Sequence, residues 1–150
     1  AHAATPLTPA PPALPALPDV RSSTPRRILV AEDNQVNQIL IQAMLDRLGH
    51  VSEVVADGAQ ALRQVQSAPC DLVLMDVQMP LMDGLSAARA IRALPAPVGR
   101  LPIIAMTANA QPEDRQACLA AGMNDHVTKP LDIQVLAQAI DRALDAPFKR

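Results

Sequence analysis

Short strand candidates alternate five times with longer helical segments along this chain, beginning near Arg26. Among them, the apolar run Leu72–Met75 has the length and composition of a strand buried on both faces of a parallel sheet. The predicted strands are Arg27–Ala31, Val51–Val55, Asp71–Asp76, Pro102–Met106 and His126–Thr128. The predicted helices lie near Gln35–Leu48, Gly58–Gln66, Gly84–Leu94, Pro112–Ala121 and Asp132–Leu144.

Alternating strands and helices predict right-handed βαβ units and therefore a parallel sheet. We expect an α/β fold of the flavodoxin-like, doubly wound (βα)5 kind, with a five-stranded parallel sheet in the order 2-1-3-4-5 and helices on both faces. The chain has no Gly-x-Gly-x-x-Gly after its first predicted strand and no Gly-Lys-Ser/Thr. A dinucleotide site or a P-loop would therefore lack its phosphate-binding turn.

The N-terminal segment 1–25 differs in composition from the rest, because it holds seven of the 15 prolines. Such a segment cannot build a packed core, and we predict a flexible, proline-rich linker from an upstream domain. A polyproline ligand for a partner domain is the alternative. The globular domain is expected to span residues 26–146, with a short C-terminal tail at 147–150.

Composition excludes several classes of function. The net charge of −2 gives no reason to expect a nucleic-acid or anionic-membrane surface, and Phe148 is the only Phe, Tyr or Trp available for stacking on bases or sugars. No apolar run approaches the roughly 20 residues of a membrane span and no secretory signal is visible, so we expect a cytoplasmic domain. Cys70 and Cys118 lack metal-ligand spacing and are expected to be reduced, partly buried thiols.

Polar residues end or directly follow four of the five predicted strands. These residues are Glu32, Asp33, Asp76, Thr107 and Lys129. Open parallel sheets place their chemistry at this edge, and strands one and three are neighbours in the predicted order. The three carboxylates would then converge and repel one another unless a divalent cation compensates their charge, and oxygen ligands suit Mg²⁺. Solvated surface carboxylates or helix caps are the alternative, since Asp33 or Asn34 could cap the first helix.

Four motifs carry a resemblance to a known family. They are Ile28–Asn37 (ILVAEDNQVN), Leu72–Gly84 (LVLMDVQMPLMDG), Pro102–Ala110 (PIIAMTANA) and Gly122–Pro130 (GMNDHVTKP). Together they resemble the receiver domain of two-component response regulators, over Arg27 to about Leu144. The residues of these motifs are most similar to those of the C-terminal receiver of a hybrid sensor histidine kinase.

The resemblance implies a magnesium site with Mg²⁺ as the only cofactor. Asp33 and Asp76 would ligate the ion directly, and Gln78 would offer its backbone carbonyl. Glu32 would act mainly through a metal-bound water.

The resemblance also implies the chemistry. Asp76 would accept a phosphoryl group from a phosphohistidine as an aspartyl phosphate. Lys129 would pair with one phosphoryl oxygen, and Thr107 would hydrogen-bond another. The Lys129–Pro130 bond is expected to be cis, which would aim the lysine into the site.

One position departs from the commonest pattern of the family. Receivers often carry Tyr or Phe three residues before the lysine, as a switch residue that moves with the threonine. Here that position is His126. We expect Thr107 and His126 to form the switch, and a surface histidine at a strand edge is the alternative reading.

The first predicted helix carries two apolar stripes at i, i+3, i+4, i+7 spacing. A helix on a sheet face needs only one of them for the core. We assign Ile41, Met44, Leu45 and Leu48 to the core and expect Val36, Ile39, Leu40 and Ala43 to form a docking surface for a partner. Broader burial of the whole helix is the alternative.

The leading hypothesis is a phosphorelay receiver domain at the C-terminal end of a hybrid histidine kinase. Its partners would be the kinase dimerisation and phosphoacceptor helices and a histidine phosphotransfer domain. Because the sequence ends soon after the fifth predicted helix, no DNA-binding output domain is expected. A stand-alone single-domain regulator that switches partner binding is the alternative. A Mg²⁺-dependent phosphatase is disfavoured, because Gln78 stands where such enzymes place a second acid.

Overall fold

The computed structural model describes residues 24–108 and 111–145. The expected linker lies almost wholly outside these residues, and the expected tail lies entirely outside them. The strands are β1 (Arg27–Ala31), β2 (Val51–Val55), β3 (Leu72–Asp76), β4 (Ile103–Thr107) and β5 (Asp125–Thr128). The α-helices are α1 (Gln35–Arg47), α2 (Gly58–Ser67), α3 (Gly84–Arg92), α4 (Pro112–Ala120) and α5 (Ile133–Asp145).

The five strands form one parallel sheet in the order β2-β1-β3-β4-β5, so the predicted fold and strand order are confirmed. β1 and β2 have the predicted bounds. β3 begins one residue later than predicted, β4 is shifted by one residue, and β5 begins one residue earlier. A short 3-10 helix at Val98–Arg100 was not predicted.

Helices cover both faces of the sheet. α1 and α5 pack on one face, where Val30 and Leu74 meet Leu45 and Ile140. α2, α3 and α4 pack on the other face, against strand residues of the opposite orientation. Every residue of β3 and β4 is buried, as expected of central strands in a doubly wound sheet.

Side-chain caps fix where the helices begin. Asn34, Asp57 and Asp83 each accept a hydrogen bond from the backbone N–H three residues further on, at the starts of α1, α2 and α3. Asp132 accepts from two N–H groups at the start of α5, so it is the cap of the helix and not its first residue. These caps hold the helix N-termini at the carboxyl edge of the sheet.

A buried arginine ties the opposite end of the domain together. Arg92, at the end of α3, is 8% exposed and donates to the carbonyl oxygens of Gly99, Leu101 and Gly122. It also donates to Oδ1 of Asn124, at 2.9 Å. No feature of the sequence pattern predicts this arginine in the interior. Its hydrogen bonds connect α3, the 3-10 helix and the turn before β5.

Candidate functional site

The strand ends border a cleft of about 630 Å³ at the carboxyl edge of the sheet. β1 and β3 are paired neighbours, with Ala31 opposite Met75, so the residues that follow Ala31 and Met75 are brought together. The cleft is lined by all five polar residues found at strand ends, namely Glu32, Asp33, Asp76, Thr107 and Lys129. The sequence pattern therefore located the cleft correctly.

Glu32, Asp33 and Asp76 offer carboxylate oxygens that all lie within 4.8 Å of one another. The predicted convergence of these groups is confirmed. Glu32 is fully buried, Asp76 is 5% exposed and Asp33 is exposed. The backbone N–H of Glu32 donates to the carbonyl of Val55, which continues the pairing of the first two strands past their ends. The buried position of Glu32 follows from this extension.

Lys129 is the cation of the cleft. Its Nζ lies 3.0 Å from Oε1 of Glu32 and 3.0 Å from Oδ2 of Asp76. Burial lowers the pKa of Lys129, but its hydrogen bonds and charge attraction to these two carboxylates outweigh burial and raise the pKa above 10.5. The backbone N–H of Lys129 donates to the carbonyl of Thr107, and the Lys129–Pro130 bond is cis, as predicted.

Asp76 is held from both sides. Its Oδ1 accepts the backbone N–H of Gln78 at 3.1 Å, while Oδ2 accepts from Lys129. The start of α3 passes close by, because the N–H of Gly84 donates to the carbonyl of Val77. A Cβ at Gly84 would lie 2.2 Å from the carbonyl oxygen of Asp76. Only glycine allows the start of α3 to approach the backbone of Asp76 this closely.

The donor set fits a hard divalent cation. Among the described residues of the cleft, the three clustered carboxylates exceed the charge of the one lysine, so negative charge is left uncompensated. Oε1 of Glu32 is buried, and apart from its ion pair with Lys129 it accepts no well-oriented hydrogen bond in the described part of the chain. A buried carboxylate oxygen in this state favours a further positive group or a bound water nearby.

The sequence model of the response regulator receiver domain family matches residues 28–141. The chain belongs to this family. Curated relatives include the sensor protein GacS of Pseudomonas syringae, 43% identical over 79% of this chain, and histidine kinase 5 of Arabidopsis thaliana, 35% identical over 84%. The receiver domain described here spans 13% of the first protein and 16% of the second.

Solved structures agree with the family. The receiver domain of sensor histidine kinase PA1611 from Pseudomonas aeruginosa is 46% identical, with a TM-score of 0.75 over 82% of this chain and 100% of that one. That structure has a magnesium ion coordinated in its active site cleft. The chemotaxis response regulator CheY4 of Vibrio cholerae is 29% identical, with a TM-score of 0.75 over 81% of this chain and 100% of that one. Within the residues described for this receiver domain, no helix is long and apolar enough to cross a bilayer.

The two predicted switch residues lie on neighbouring strands. Thr107 ends β4 and is 6% exposed. His126, in β5, is half-buried and lines a second depression together with Arg115 of α4 and Val135 of α5. The His126 Nδ1 lies 3.9 Å from Oδ1 of Asp125. The switch role of these residues stays a prediction.

The two stripes of α1 separate as predicted. In the core stripe, Ile41, Leu45 and Leu48 are at most 1% exposed, and Met44 is half-buried against the same cluster. The other stripe is open to solvent, with Val36 73%, Ile39 69% and Leu40 44% exposed, and Ala43 exposed as well. The docking role of this stripe is not tested by its exposure.

Several residues that line the cleft were not predicted as site residues from the sequence. α4 contributes Asp114, Ala117 and Cys118, and α1 contributes Asn37. Burial raises the pKa of the Cys118 thiol, which favours its neutral form. Asn37 is the last residue of the Ile28–Asn37 motif, and its helical spacing from the core stripe could have identified it as a residue of the cleft. The α4 residues could not have been found, because the sequence pattern does not state how this helix faces the cleft.

Proposed function

We propose that this receiver domain accepts a phosphoryl group from a phosphohistidine on the carboxylate of Asp76. The observation that carries the proposal is the environment of Asp76, which stands in an open cleft 3.0 Å from an ammonium group and within 4.8 Å of two further carboxylates. A carboxylate oxygen would attack the phosphorus, the P–N bond would break, and the imidazole would leave and take a proton from solvent.

Mg²⁺ is the proposed cofactor. Asp33 and Asp76 would ligate it directly, the backbone carbonyl of Gln78 would complete the protein ligands, and Glu32 would hold a bound water. The magnesium ion in the related PA1611 receiver supports this assignment. When bound, the ion supplies positive charge next to the phosphoryl oxygens and orients the acceptor.

Lys129 and Thr107 are proposed to stabilise the phosphorylated state. Lys129 already contacts Asp76, and its ammonium group would exchange that carboxylate oxygen for a phosphoryl oxygen. The hydroxyl of Thr107 would donate to a second phosphoryl oxygen. His126 would then change its packing as Thr107 moves, which couples the site to the surface between α4 and α5.

The acceptor is tested with the wild-type chain, Mg²⁺ and a small phosphodonor. Intact-mass analysis should show one added phosphoryl group, which is absent in Asp76→Asn. Asp83→Asn is the matched control, because it makes the same change in the adjoining loop and asparagine keeps the helix cap. Labelling that persists in Asp76→Asn would refute the assignment.

We further propose that the domain works within a hybrid histidine kinase, exchanging phosphoryl groups with kinase helices and a histidine phosphotransfer domain in the cytoplasm. The relatives support this context, since several are hybrid kinases many times longer than this chain. Incubation of the phosphorylated protein with a phosphotransfer domain should empty Asp76. A stand-alone regulator, the alternative, would keep its phosphoryl group until it hydrolyses.

The exposed stripe of α1, formed by Val36, Ile39, Leu40 and Ala43, is the proposed docking surface for these helical partners. An amphipathic helix face beside the cleft would pack against a helix bundle that carries the donor histidine. Ile39→Asp should slow transfer from a phosphohistidine protein and leave labelling by a small phosphodonor unchanged. Leu119→Asp, at a comparably exposed leucine of α4, is the control.

The switch is tested by NMR. Binding of a beryllium fluoride phosphate mimic should shift the His126 ring signals strongly in the wild type, and weakly in Thr107→Val. Equal shifts in both proteins would show that His126 does not respond through Thr107.

A further inference from the structure

The core stripe of α1 is apolar from Ile41 onward, but Asn37, on the same face one turn earlier, is polar. Counting back from Ile41, Met44 and Leu48 of the core stripe by four, seven and eleven residues reaches the same position, Asn37. Asn37 therefore lies on the helix face that packs against the sheet two turns later. An apolar residue would continue the stripe here, but the chain carries a carboxamide.

In the first turn of α1 this face borders the cleft, whereas from Ile41 onward it packs in the core cluster. Asn37 lines the cleft together with Glu32, Asp33 and Asp76. Its backbone N–H donates to Oδ1 of Asn34 at 3.1 Å, and the N–H of Asn34 donates to Oε2 of Glu32 at 3.1 Å. These two bonds fix the position of Asn37 relative to the carboxylates.

The Asn37 carboxamide has unused hydrogen-bonding capacity. It is half-buried, and within residues 24–108 and 111–145 no group forms a hydrogen bond with its side chain. A partly enclosed polar group without a protein partner is available to bind water or a ligand. The ligand expected at this place is the divalent cation that the neighbouring carboxylates attract.

We propose that Asn37 is a positioning residue for the metal, whose Oδ1 accepts a hydrogen bond from a water molecule bound to the divalent cation. This inference rests on the proposed function, since it needs the cation that Asp33 and Asp76 would hold. Mg²⁺ keeps several of its waters in protein sites, and such waters are strong donors that need acceptors. Groups that hold these outer contacts change metal affinity by about 10–100-fold when they are removed.

The test is a Mg²⁺ titration of the full chain without phosphodonor, followed by NMR. Asn37→Leu continues the apolar stripe and should fold at least as stably as the wild type, yet its dissociation constant should rise by about ten-fold. Asn37→Asp keeps an acceptor oxygen at the same distance from the backbone and should bind Mg²⁺ at least as tightly as the wild type. The side-chain NH₂ signals of Asn37 should shift during titration of the wild type.

Gln42→Leu is the matched control, because it makes a polar-to-leucine change at an exposed position of the same helix. It should leave the dissociation constant unchanged. If Asn37→Leu binds Mg²⁺ as well as the wild type, the inference is wrong even though the proposed function stands. If the wild type itself does not bind Mg²⁺, the proposed function fails first. Should Asn37→Leu not fold, Asn37→Ala carries the same comparison.

Discussion

Replacement of Lys129 by methionine is the perturbation whose effect follows most directly from the geometry. Methionine keeps most of the length of the side chain and removes the ammonium group. The two carboxylates that it contacts, Glu32 and Asp76, have side chains that are 1% and 7% exposed, so they depend on it for charge compensation. We expect the variant to fold and to be less stable than the wild type when no metal is present.

The magnitude follows from distance and burial. Coulomb's law with an effective dielectric constant of about 20 gives roughly 5 kcal/mol for each pair at this separation, before desolvation is subtracted. Removing one partner of a fully buried ion pair costs about 3–5 kcal/mol. The Lys129 side chain is 24% exposed and the cleft is open, so solvent screening reduces the expected loss to about 2 kcal/mol. The domain should survive this loss with a native circular-dichroism spectrum.

The assay is urea unfolding of wild type and Lys129→Met at pH 7 with EDTA, repeated with Mg²⁺. The free energy of unfolding should fall by about 2 kcal/mol in EDTA, and added Mg²⁺ should stabilise the variant more than the wild type, because the cation replaces the missing charge. Arg63→Met, at an exposed position of α2, is the control and should change stability by less than about 0.5 kcal/mol. A Lys129→Met variant as stable as the control in EDTA would show that the ion pairs contribute nothing.

The pH dependence of this effect has a definite sign. Since the carboxylates raise the pKa of Lys129 despite its burial, the stabilisation is fully present below pH 10.5 and is lost only as the pH rises through the raised value. Acidification alone should therefore leave the ammonium group charged.

Three further predictions concern other parts of the fold. Burial lowers the pKa of His50 below 6.5, and its Nδ1 accepts a hydrogen bond from the N–H of Arg26. The free energy of unfolding should therefore decrease as the pH falls below 6.5, where the unfolded chain binds more protons than the folded one. His50→Gln should flatten this part of the plot of unfolding free energy against pH. Gly84→Ala should lower the free energy of unfolding by about 1–3 kcal/mol and reduce phosphorylation of Asp76, because the added Cβ would overlap the carbonyl of Asp76. Urea unfolding measures the first effect, and intact-mass analysis after reaction with a phosphodonor measures the second. Burial raises the pKa of Cys70 to about 11, so iodoacetamide should alkylate it far more slowly in the folded protein than in urea at pH 8, as followed by mass spectrometry.

The sheet could be predicted from the sequence because β1, β3 and β4 contain uninterrupted apolar runs with a polar residue at or after their ends, and because strand candidates alternate with helical segments. The bounds of β1 and β2 were predicted without error. The start of β3 was misplaced by one residue, because Asp71 directly precedes the apolar run and was counted with it. In the structure β3 begins at Leu72, and the Asp71 carboxylate accepts a hydrogen bond from the N–H of Arg27. Such a local side-chain contact leaves no trace in hydrophobic periodicity.

The buried arginine could not be predicted for a related reason. Arginine is among the residues least often buried, and α3 has an alternative exposed arginine, Arg89, in the same turn. Arg92 is interior because four acceptors from two separate segments, residues 99–101 and 122–124, surround it. Their convergence depends on the tertiary fold, which the sequence pattern does not encode locally.

The same distinction explains how the site could be predicted in part. Residues that end strands meet whenever the strands are parallel neighbours, so Glu32, Asp33 and Asp76 could be placed together from the strand order alone. A helix gives weaker information, because periodicity states which residues share a face and not what that face meets. On α1 the face that contacts the core at Ile41 contacts the cleft at Asn37. A polar residue on an otherwise apolar stripe is thus ambiguous in sequence, and it becomes evidence for a ligand contact only once the structure shows where the sheet ends.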